Sequence, residues 1–254
     1  MRKGRLLGLV TLLVLAAAWE LVTRGGLVDS ISMVPLSKIL RAFFDLLTSG
    51  EFFVWLGPSL YRLFVGFLIA AIAGVVVGLV MGYFRIAYDL LEPLVEFLRP
   101  LPSPAYIPIV ILFLGIDDAM KIAVIAFASF FPVLINTYSG VVNIDPTLVD
   151  VARTLGVPRR DIALRVVLPA ALPYTFSGLR VSLGIALIVT VLSEMIAGNS
   201  GIGFFVLDMQ RAFRNADMFA AVIMLGIVGY LLNRVFLWIE RRAVGWSPQF
   251  QTNA

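Results

Sequence analysis

A chain of 254 residues with 60% hydrophobic and only 14% charged residues, and a mean hydropathy of +0.98, differs from a soluble domain in every one of these quantities. Soluble domains contain about 45–50% apolar and about 25% charged residues, so this composition indicates an integral membrane protein. The sequence has no Cys and no His, which excludes disulfides, thiolate nucleophiles, imidazole bases and the usual zinc or haem sites. Its net charge of +4 gives no basis for nucleic-acid binding, because basic residues of membrane proteins mostly mark cytoplasmic loops.

The apolar runs are long and continuous, which predicts an all-α, polytopic membrane protein with six transmembrane helices. Membrane β-barrels instead show alternating segments of about ten residues. A helix satisfies its own backbone hydrogen bonds in lipid, so helices are the expected spanning elements. The predicted spans are residues 1–22, 63–83, 90–114, 122–142, 172–196 and 218–239.

The first predicted span begins with Arg2, Lys3 and Arg5 and continues as an apolar run to Val22. Residues 16–18 are three alanines, which would also suit a signal-peptidase site. Because the run continues past these alanines and five further spans follow, we expect an uncleaved first span.

An amphipathic helix is predicted over residues 35–47, where apolar residues recur at helical spacing opposite polar ones. A second, shorter surface segment is predicted around Phe52, Phe53 and Trp55. These segments and the first span form a predicted region of residues 1–56, which precedes a transmembrane domain of residues 57–242 and a C-terminal tail of residues 243–254.

The second span carries a small residue at every fourth position, which predicts a face for close helix packing in lipid. These residues are Gly66, Ala70, Gly74, Gly78 and Gly82.

The third span is interrupted by five prolines between residues 93 and 108. A broken backbone at membrane depth is tolerated where protein covers it or where it borders a water-filled cavity. We therefore predict that residues 99–108, with Pro102, Pro104 and Tyr106, form a wall of the translocation path. A purely structural kink is the alternative.

The fifth span repeats the pattern of small residues at Gly178, Ser182, Ala186 and Thr190, and Glu194 is next on this stripe. A carboxylate near a membrane face usually faces protein or water. Ser182, Thr190, Ser193 and Glu194 are therefore predicted to line the path or the subunit contact. Residues 198–216 predict a turn followed by a partly inserted helix.

The longest polar interruption, residues 143–169, predicts two short helices joined by a hinge. Asp145 and Pro146 suit the cap and first position of a helix, and Gly156 suits its end. Pro158 is placed to begin the second helix, and Pro169 opens the apolar run that follows.

This interruption resembles the cytoplasmic coupling loop, or EAA loop, of bacterial ATP-binding cassette (ABC) importer permeases. The family pattern is Glu-Ala-Ala, a Gly four positions on, a branched apolar residue ten beyond it, and Leu-Pro. Asp stands in place of the Glu and Val in place of the first Ala, and the spacing is kept. The matching residues are Asp150, Val151, Ala152, Gly156, Val166, Leu168 and Pro169. The resemblance implies that these residues, with Arg159 and Arg160, couple the chain to an ATPase.

Further motifs extend the resemblance over about residues 35–242 and are similar to permeases of the nitrate, sulfonate, taurine and bicarbonate importers. They are Ser59-Leu-Tyr-Arg62, Glu92-Pro93 with Arg99-Pro100, Phe131-Pro132-Val133-Leu134-Ile135-Asn136, Leu168-Pro169-Ala170-Ala171-Leu172-Pro173, Gly178-Leu179-Arg180 and Gly201-Ile202-Gly203. The resemblance implies a type I importer permease fold in the bacterial inner membrane. It also implies a homodimer, two ATPase subunits and an extracytoplasmic substrate-binding protein as partners.

The sequence lacks the Gly-x-x-x-x-Gly-Lys-Ser/Thr phosphate loop, so ATP and Mg²⁺ are expected on the partner ATPase and no cofactor on this chain. No catalytic or metal-binding residue is predicted. With six spans, both termini and the coupling loop lie on one side, which carries ten Lys and Arg residues against six on the other. This excess predicts that both termini are cytoplasmic.

The resemblance implies alternating access for a small, anionic solute such as a sulfonate, nitrate, taurine or bicarbonate. A neutral heterocycle such as a vitamin precursor is the alternative substrate. An ion-coupled secondary transporter or a channel is the alternative function, but such proteins carry ionisable residues deep in their spans, and here only Arg180 and Glu194 qualify.

Overall fold

The computed structural model describes residues 2–25 and 33–246, so most of the predicted C-terminal tail lies outside the described residues. The helices in chain order are α1 Arg2–Arg24, α2 Leu36–Thr48, α3 Glu51–Tyr83, α4 Arg85–Leu98, α5 Ser103–Leu114, α6 Asp118–Val142, α7 Pro146–Thr154, α8 Arg159–Ile162, a π-helical turn Ala163–Val167, α9 Leu168–Ala197, α10 Ile202–Arg211 and α11 Asn215–Val244. The predicted all-α class is confirmed.

Within the described residues, four helices are long and apolar enough to cross a membrane, namely α3, α6, the run Arg159–Ala197 and α11. Helices α4 and α5 make a fifth span if they are counted together, and they meet at a bend of 102°. The predicted proline-broken span is this bent pair. The first predicted span coincides with α1, a helix of 23 residues that is not among these candidates.

Helix α6 lies between α3 and α9, and small residues allow the three backbones to approach closely. On α3, a Cβ added at Gly78 would come 2.7 Å from the Leu134 carbonyl oxygen and 2.8 Å from the Thr137 Cβ. On α9, a Cβ at Gly178 would come 2.8 Å from the Pro132 carbonyl oxygen. The stripes of small residues on the second and fifth spans are therefore the faces that pack on α6.

An apolar cluster at one end of the bundle joins α2, α10, α11 and the first turns of α3. Ile39 and Leu46 on the buried face of α2 belong to this cluster together with Phe205 and Met224. The predicted amphipathic helix, α2, and the short helix after residue 198, α10, are thus confirmed. Both belong to this cluster with α11 and the start of α3, at one end of the bundle.

The prediction of a separate surface segment around Phe52, Phe53 and Trp55 is wrong, because these residues form the first turns of the 33-residue helix α3. Pro58 is the eighth residue of this helix and does not end it. The Trp55 ring lies 5.7 Å from that of Phe205, which fixes this end of α3 against α10. The predicted domain boundary between residues 56 and 57 falls inside α3.

Candidate coupling surface and translocation cavity

Helix α7 begins and ends where its sequence predicts. The Asp145 carboxylate accepts a hydrogen bond of 2.9 Å from the Thr147 backbone N–H, and Pro146 occupies the first helical position. Gly156 has a φ of +72°, a left-handed conformation that favours glycine, and the Val157 N–H donates to the Ala152 carbonyl at 3.1 Å. The sequence therefore sets both limits of α7.

Replacement of Asp145 by Ala is expected to raise local opening of α7 about fivefold, because the first turn loses its capping acceptor. Side-chain and backbone hydrogen bonds from Thr147 hold the pKa of Asp145 below its usual value. Because the folded pKa is lowered, the cap is fully effective above the unfolded value of about 3.9 and is lost as pH falls through the folded value. Hydrogen exchange of the amides of residues 147–150 measures this opening.

Asp145→Asn is the control, since asparagine also caps helices but does not titrate. It is expected to keep exchange slow at pH 7 and to remove the acid-induced loss of protection. Unchanged exchange in Asp145→Ala at pH 7 would contradict the capping role.

The prediction of a separate second helix in this loop is wrong. Helix α8 has four residues and continues through the π-helical turn into α9, and the run from Arg159 to Ala197 spans 39 residues. The widened π turn directly precedes Pro169, which lacks the backbone donor that a regular helix would use there. The second half of the predicted coupling loop, from Arg159, is thus continuous with a membrane span, and we call residues 146–167 the coupling segment.

One side of α7 is anchored to the bundle. Ala152 is buried in an apolar cluster with Ile162, Val167 and Ala171. This cluster fixes α7 against the start of the long helix. Of the other predicted coupling residues, Val166, Leu168 and Pro169 are half-buried at this junction.

The other side of α7 exposes an apolar stripe. Leu148, Val151 and Leu155 are 51%, 53% and 76% exposed and recur at helical spacing. Asp150 and Arg153 flank the stripe and form an exposed ion pair of 3.3 Å. An exposed apolar stripe with a charged rim on an anchored helix is the pattern of a protein-docking surface.

Arg159 and Arg160 line a cavity of about 840 Å³ between the coupling segment and the ends of α3 and α6. Arg153 also lines it. The predicted coupling residues are therefore brought together at one end of the bundle, with the apolar stripe of α7 outermost.

A second cavity, of about 440 Å³, lies where the α4–α5 break meets the middle portions of α6 and α9. We call it the central cavity. Its lining residues are Arg99, Leu101, Ser103, Tyr106, Phe127, Ala128, Phe131, Pro132, Ile135, Asn136, Val181, Ile185 and Val189. The predicted wall thus supplies Tyr106 to this cavity, whereas Pro102 and Pro104 lie at the break but are not among its lining residues.

The predicted path residues of α9 lie elsewhere in this structure. Ser182 is fully buried and donates a hydrogen bond of 2.7 Å to the Ser129 carbonyl of α6. Thr190 and Ser193 are also buried, and they donate to carbonyls of their own helix at 2.7 and 2.9 Å. The face of α9 that borders the central cavity carries Val181, Ile185 and Val189, which directly precede Ser182, Ala186 and Thr190 of the small-residue stripe.

Glu194 lies at the end of α9 away from the coupling segment and is fully buried in a charged network. Arg62, which is 2% exposed, donates from Nη1 to Glu194 Oε1 at 2.7 Å and from Nε to Asp118 Oδ1 at 2.7 Å. The Ser59 hydroxyl donates to the Glu194 carboxylate at 2.9 Å. The network therefore ties α3, α6 and α9 together.

The same network also holds the turn before α10. The Gly203 N–H donates to Glu194 Oε2 at 3.0 Å, and Arg62 donates to the backbone oxygen and the hydroxyl of Ser200 at 2.9 and 2.6 Å. The Ile202 N–H donates to the Ser59 hydroxyl at 2.8 Å. Every group around the buried carboxylate is thus a hydrogen-bond donor, which is what a buried charge requires.

Arg180 forms an ion pair with Glu240 of α11, which joins α9 to the last span. Lys121 is also buried, and its ammonium donates a hydrogen bond to the Ile116 carbonyl at 3.1 Å. Among the described residues no group of three or more Asp and Glu residues could hold a metal ion. The pairs Arg62–Glu194 and Arg180–Glu240 therefore join helices to one another, and Lys121 holds the turn before α6.

Residues 66–244 match the family model of the binding-protein-dependent transport system inner membrane component. The chain belongs to this family. It is a multi-pass permease of the inner membrane and the non-catalytic subunit of an ABC importer, and it works with an ATPase and a substrate-binding protein.

The permease is 34% identical to the putative aliphatic sulfonates transport permease protein SsuC of Bacillus subtilis, over 98% of this chain and 91% of the relative. It is 33% identical to the nitrate import permease protein NrtB of Leptolyngbya laminosa, over 92% and 86%. A chain of the inward-facing MetNI methionine ABC transporter superposes with a TM-score of 0.66 at 19% identity, over 73% of the permease and 93% of that chain. This last likeness shows the fold of type I importer permeases.

Sequence reasoning missed several residues of the permease that the structure brings together. Asn136 lines the central cavity with Arg99, which lies in the predicted wall, and Leu148 and Leu155 complete the exposed stripe of α7. Helical spacing from Val151 could have identified the two leucines. Nothing in the sequence indicates which face of α9 borders the cavity, because two neighbouring stripes of that helix have the same periodicity.

Proposed function

We propose that this permease forms, with a second copy of itself, the translocation path for a small oxyanion, with both termini in the cytoplasm. ATP and Mg²⁺ bind to the partner ATPase, and this chain holds no cofactor. The names of the sulfonate and nitrate relatives support an oxyanion over a neutral heterocycle. Family membership decides against an ion-coupled secondary transporter or a channel.

The observation that carries the coupling mechanism is the exposed stripe of Leu148, Val151 and Leu155 on a helix anchored to a long span. Nucleotide-driven closure of the ATPases moves α7, and α7 moves the run Arg159–Ala197 because the two are packed through Ala152, Ile162 and Val167. Since this run borders the central cavity, the movement changes access to that cavity.

The double change Val151→Asp and Leu155→Asp is expected to weaken ATPase association at least tenfold, because two apolar anchors would each lose more than about 1 kcal/mol. The permease is co-expressed with its ATPase and purified through a tag on the permease, and the co-purified ATPase is quantified. Both residues are exposed, so the fold of the permease itself is expected to be unchanged.

Phe213→Asp is the matched control, since Phe213 is 77% exposed and lies next to α10, at the other end of the bundle. Its φ of +57° is one that aspartate adopts readily. Equal recovery of the ATPase with wild type and with the double variant would overturn the role of α7.

A further inference from the structure

The central cavity contains one cation and no carboxylate among its lining residues. That cation is Arg99, which directly follows α4 at the break before α5. Arg99 forms no ion pair with any described residue, whereas Arg62 and Arg180 are both paired. The other lining residues belong largely to the middle portions of the spans α6 and α9, and the exposed Arg99 side chain lies beside them. Charged residues next to spans usually face a water-filled cavity and mark a substrate pathway.

A second polar group in the cavity also lacks a partner. The Tyr106 hydroxyl is buried and forms no hydrogen bond within the described part of the chain. A buried hydroxyl without a partner is uncommon in folded proteins and calls for an explanation. Asn136 uses its side-chain nitrogen to donate to the Pro132 carbonyl at 2.8 Å and therefore keeps one N–H of that amide for another acceptor.

The rest of the lining is apolar apart from Ser103 and includes Phe127, Phe131, Val181, Ile185 and Val189. A volume of about 440 Å³ is within the range that holds organic ligands and is far more than a bare inorganic anion fills. The cavity thus combines hydrogen-bond donors with a mostly apolar lining.

We infer that the central cavity is a transient binding site for an organic oxyanion with a short apolar tail. Arg99 pairs with the oxyanion, the Tyr106 hydroxyl donates to it, and the tail lies against Val181, Ile185 and Val189. Guanidinium groups suit this role because their fork of N–H donors matches the oxygens of such anions. The inference rests on the proposed oxyanion transport and names the residues and the substrate class of that path.

The test uses the complete transporter, with its ATPase and binding protein, reconstituted in liposomes and supplied with radiolabelled 1-butanesulfonate. Arg99→Gln is expected to lower kcat/KM for uptake about ten- to hundredfold, as expected for loss of a charged hydrogen bond. Tyr106→Phe is expected to lower it about fivefold. Arg99→Lys keeps the charge and is expected to restore part of the uptake.

Two control variants change the same residue types outside the cavity. Arg85 is paired with Asp89 at 3.1 Å, and Tyr61 is 56% exposed, so Arg85→Gln and Tyr61→Phe are expected to leave uptake unchanged. The co-purified ATPase is measured for every variant, which separates a loss of uptake from a loss of assembly.

Ile185→Trp tests the tail separately, because the larger ring fills the apolar side of the cavity. It is expected to reduce uptake of 1-butanesulfonate at least tenfold more than uptake of methanesulfonate. Equal reduction of both substrates would overturn the assignment of the apolar wall to the tail.

The failures of the two proposals are distinguishable. If wild type hydrolyses ATP with its partners but takes up no oxyanion, the proposed function fails. If wild type takes up 1-butanesulfonate and Arg99→Gln does so with unchanged kcat/KM, the oxyanion function stands and the assignment of Arg99 is overturned.

Discussion

Glu194→Ala is expected to destabilise the permease by about 3–5 kcal/mol, the usual effect of removing one partner of a buried ion pair. The change leaves the Arg62 guanidinium buried at 2% exposure without its buried carboxylate partner. It also removes the acceptor of the Ser59 hydroxyl and of the Gly203 N–H. The thermal unfolding midpoint of the detergent-solubilised transporter is measured from the loss of the monodisperse species on heating.

Two further variants distinguish the cost of leaving a buried charge unpaired from a loss caused by the changed shape of the side chain. Asp118→Asn removes the other carboxylate partner of Arg62. Because the Asp118 side chain is 48% exposed, this change is expected to cost less than about 1 kcal/mol. The double variant Arg62→Met with Glu194→Leu removes both charges and is expected to be much more stable than Glu194→Ala. A double variant as unstable as Glu194→Ala would show that shape, and not the unpaired charge, causes the loss.

Gly78→Leu is expected to cost about 3 kcal/mol or more and to prevent α3 from packing on α6. The added Cβ would lie 2.7 Å from the Leu134 carbonyl oxygen, which is backbone and cannot move aside as a side chain could. The fraction of expressed protein that enters the membrane and survives extraction as a monodisperse species measures this effect.

Gly184→Leu is the matched control, because it makes the same change on α9 at a position where an added Cβ meets no atom within 4 Å. Since glycine costs about 1 kcal/mol in a helix relative to alanine, this variant is expected to be neutral or slightly stabilising. A loss as large as that of Gly78→Leu would contradict the importance of close approach between α3 and α6.

Local signals in the sequence predicted the features that depend on neighbouring residues. Asp145 and Pro146 fix the start of α7 and Gly156 fixes its end, since caps and left-handed glycines act within one turn. The fourth-position spacing of Gly66 to Gly82 predicted a packing face, because residues four apart lie on one side of a helix. The prolines of residues 93–108 predicted the break between α4 and α5.

Features that depend on distant residues could not be predicted in this way. Glu194 meets Ser59 and Arg62 across separations of 135 and 132 residues, and no spacing rule connects them. The orientation of α9 places Ser182 against α6 and Val181 toward the cavity, although both lie on regular stripes. The continuity of α3 through Pro58 and of α8 into α9 also went against the local signals, because tertiary packing overrides them.

The length of one helix has a mechanical consequence. The run Arg159–Ala197 carries the coupling segment at one end and Glu194 near the other, and at 1.5 Å per residue it is about 58 Å long. A tilt of about 5° about the coupling end moves the far end of such a rod by about 5 Å. In the coupling mechanism proposed above, this helix acts as a lever that amplifies a slight rotation at the ATPase across the whole thickness of the bilayer.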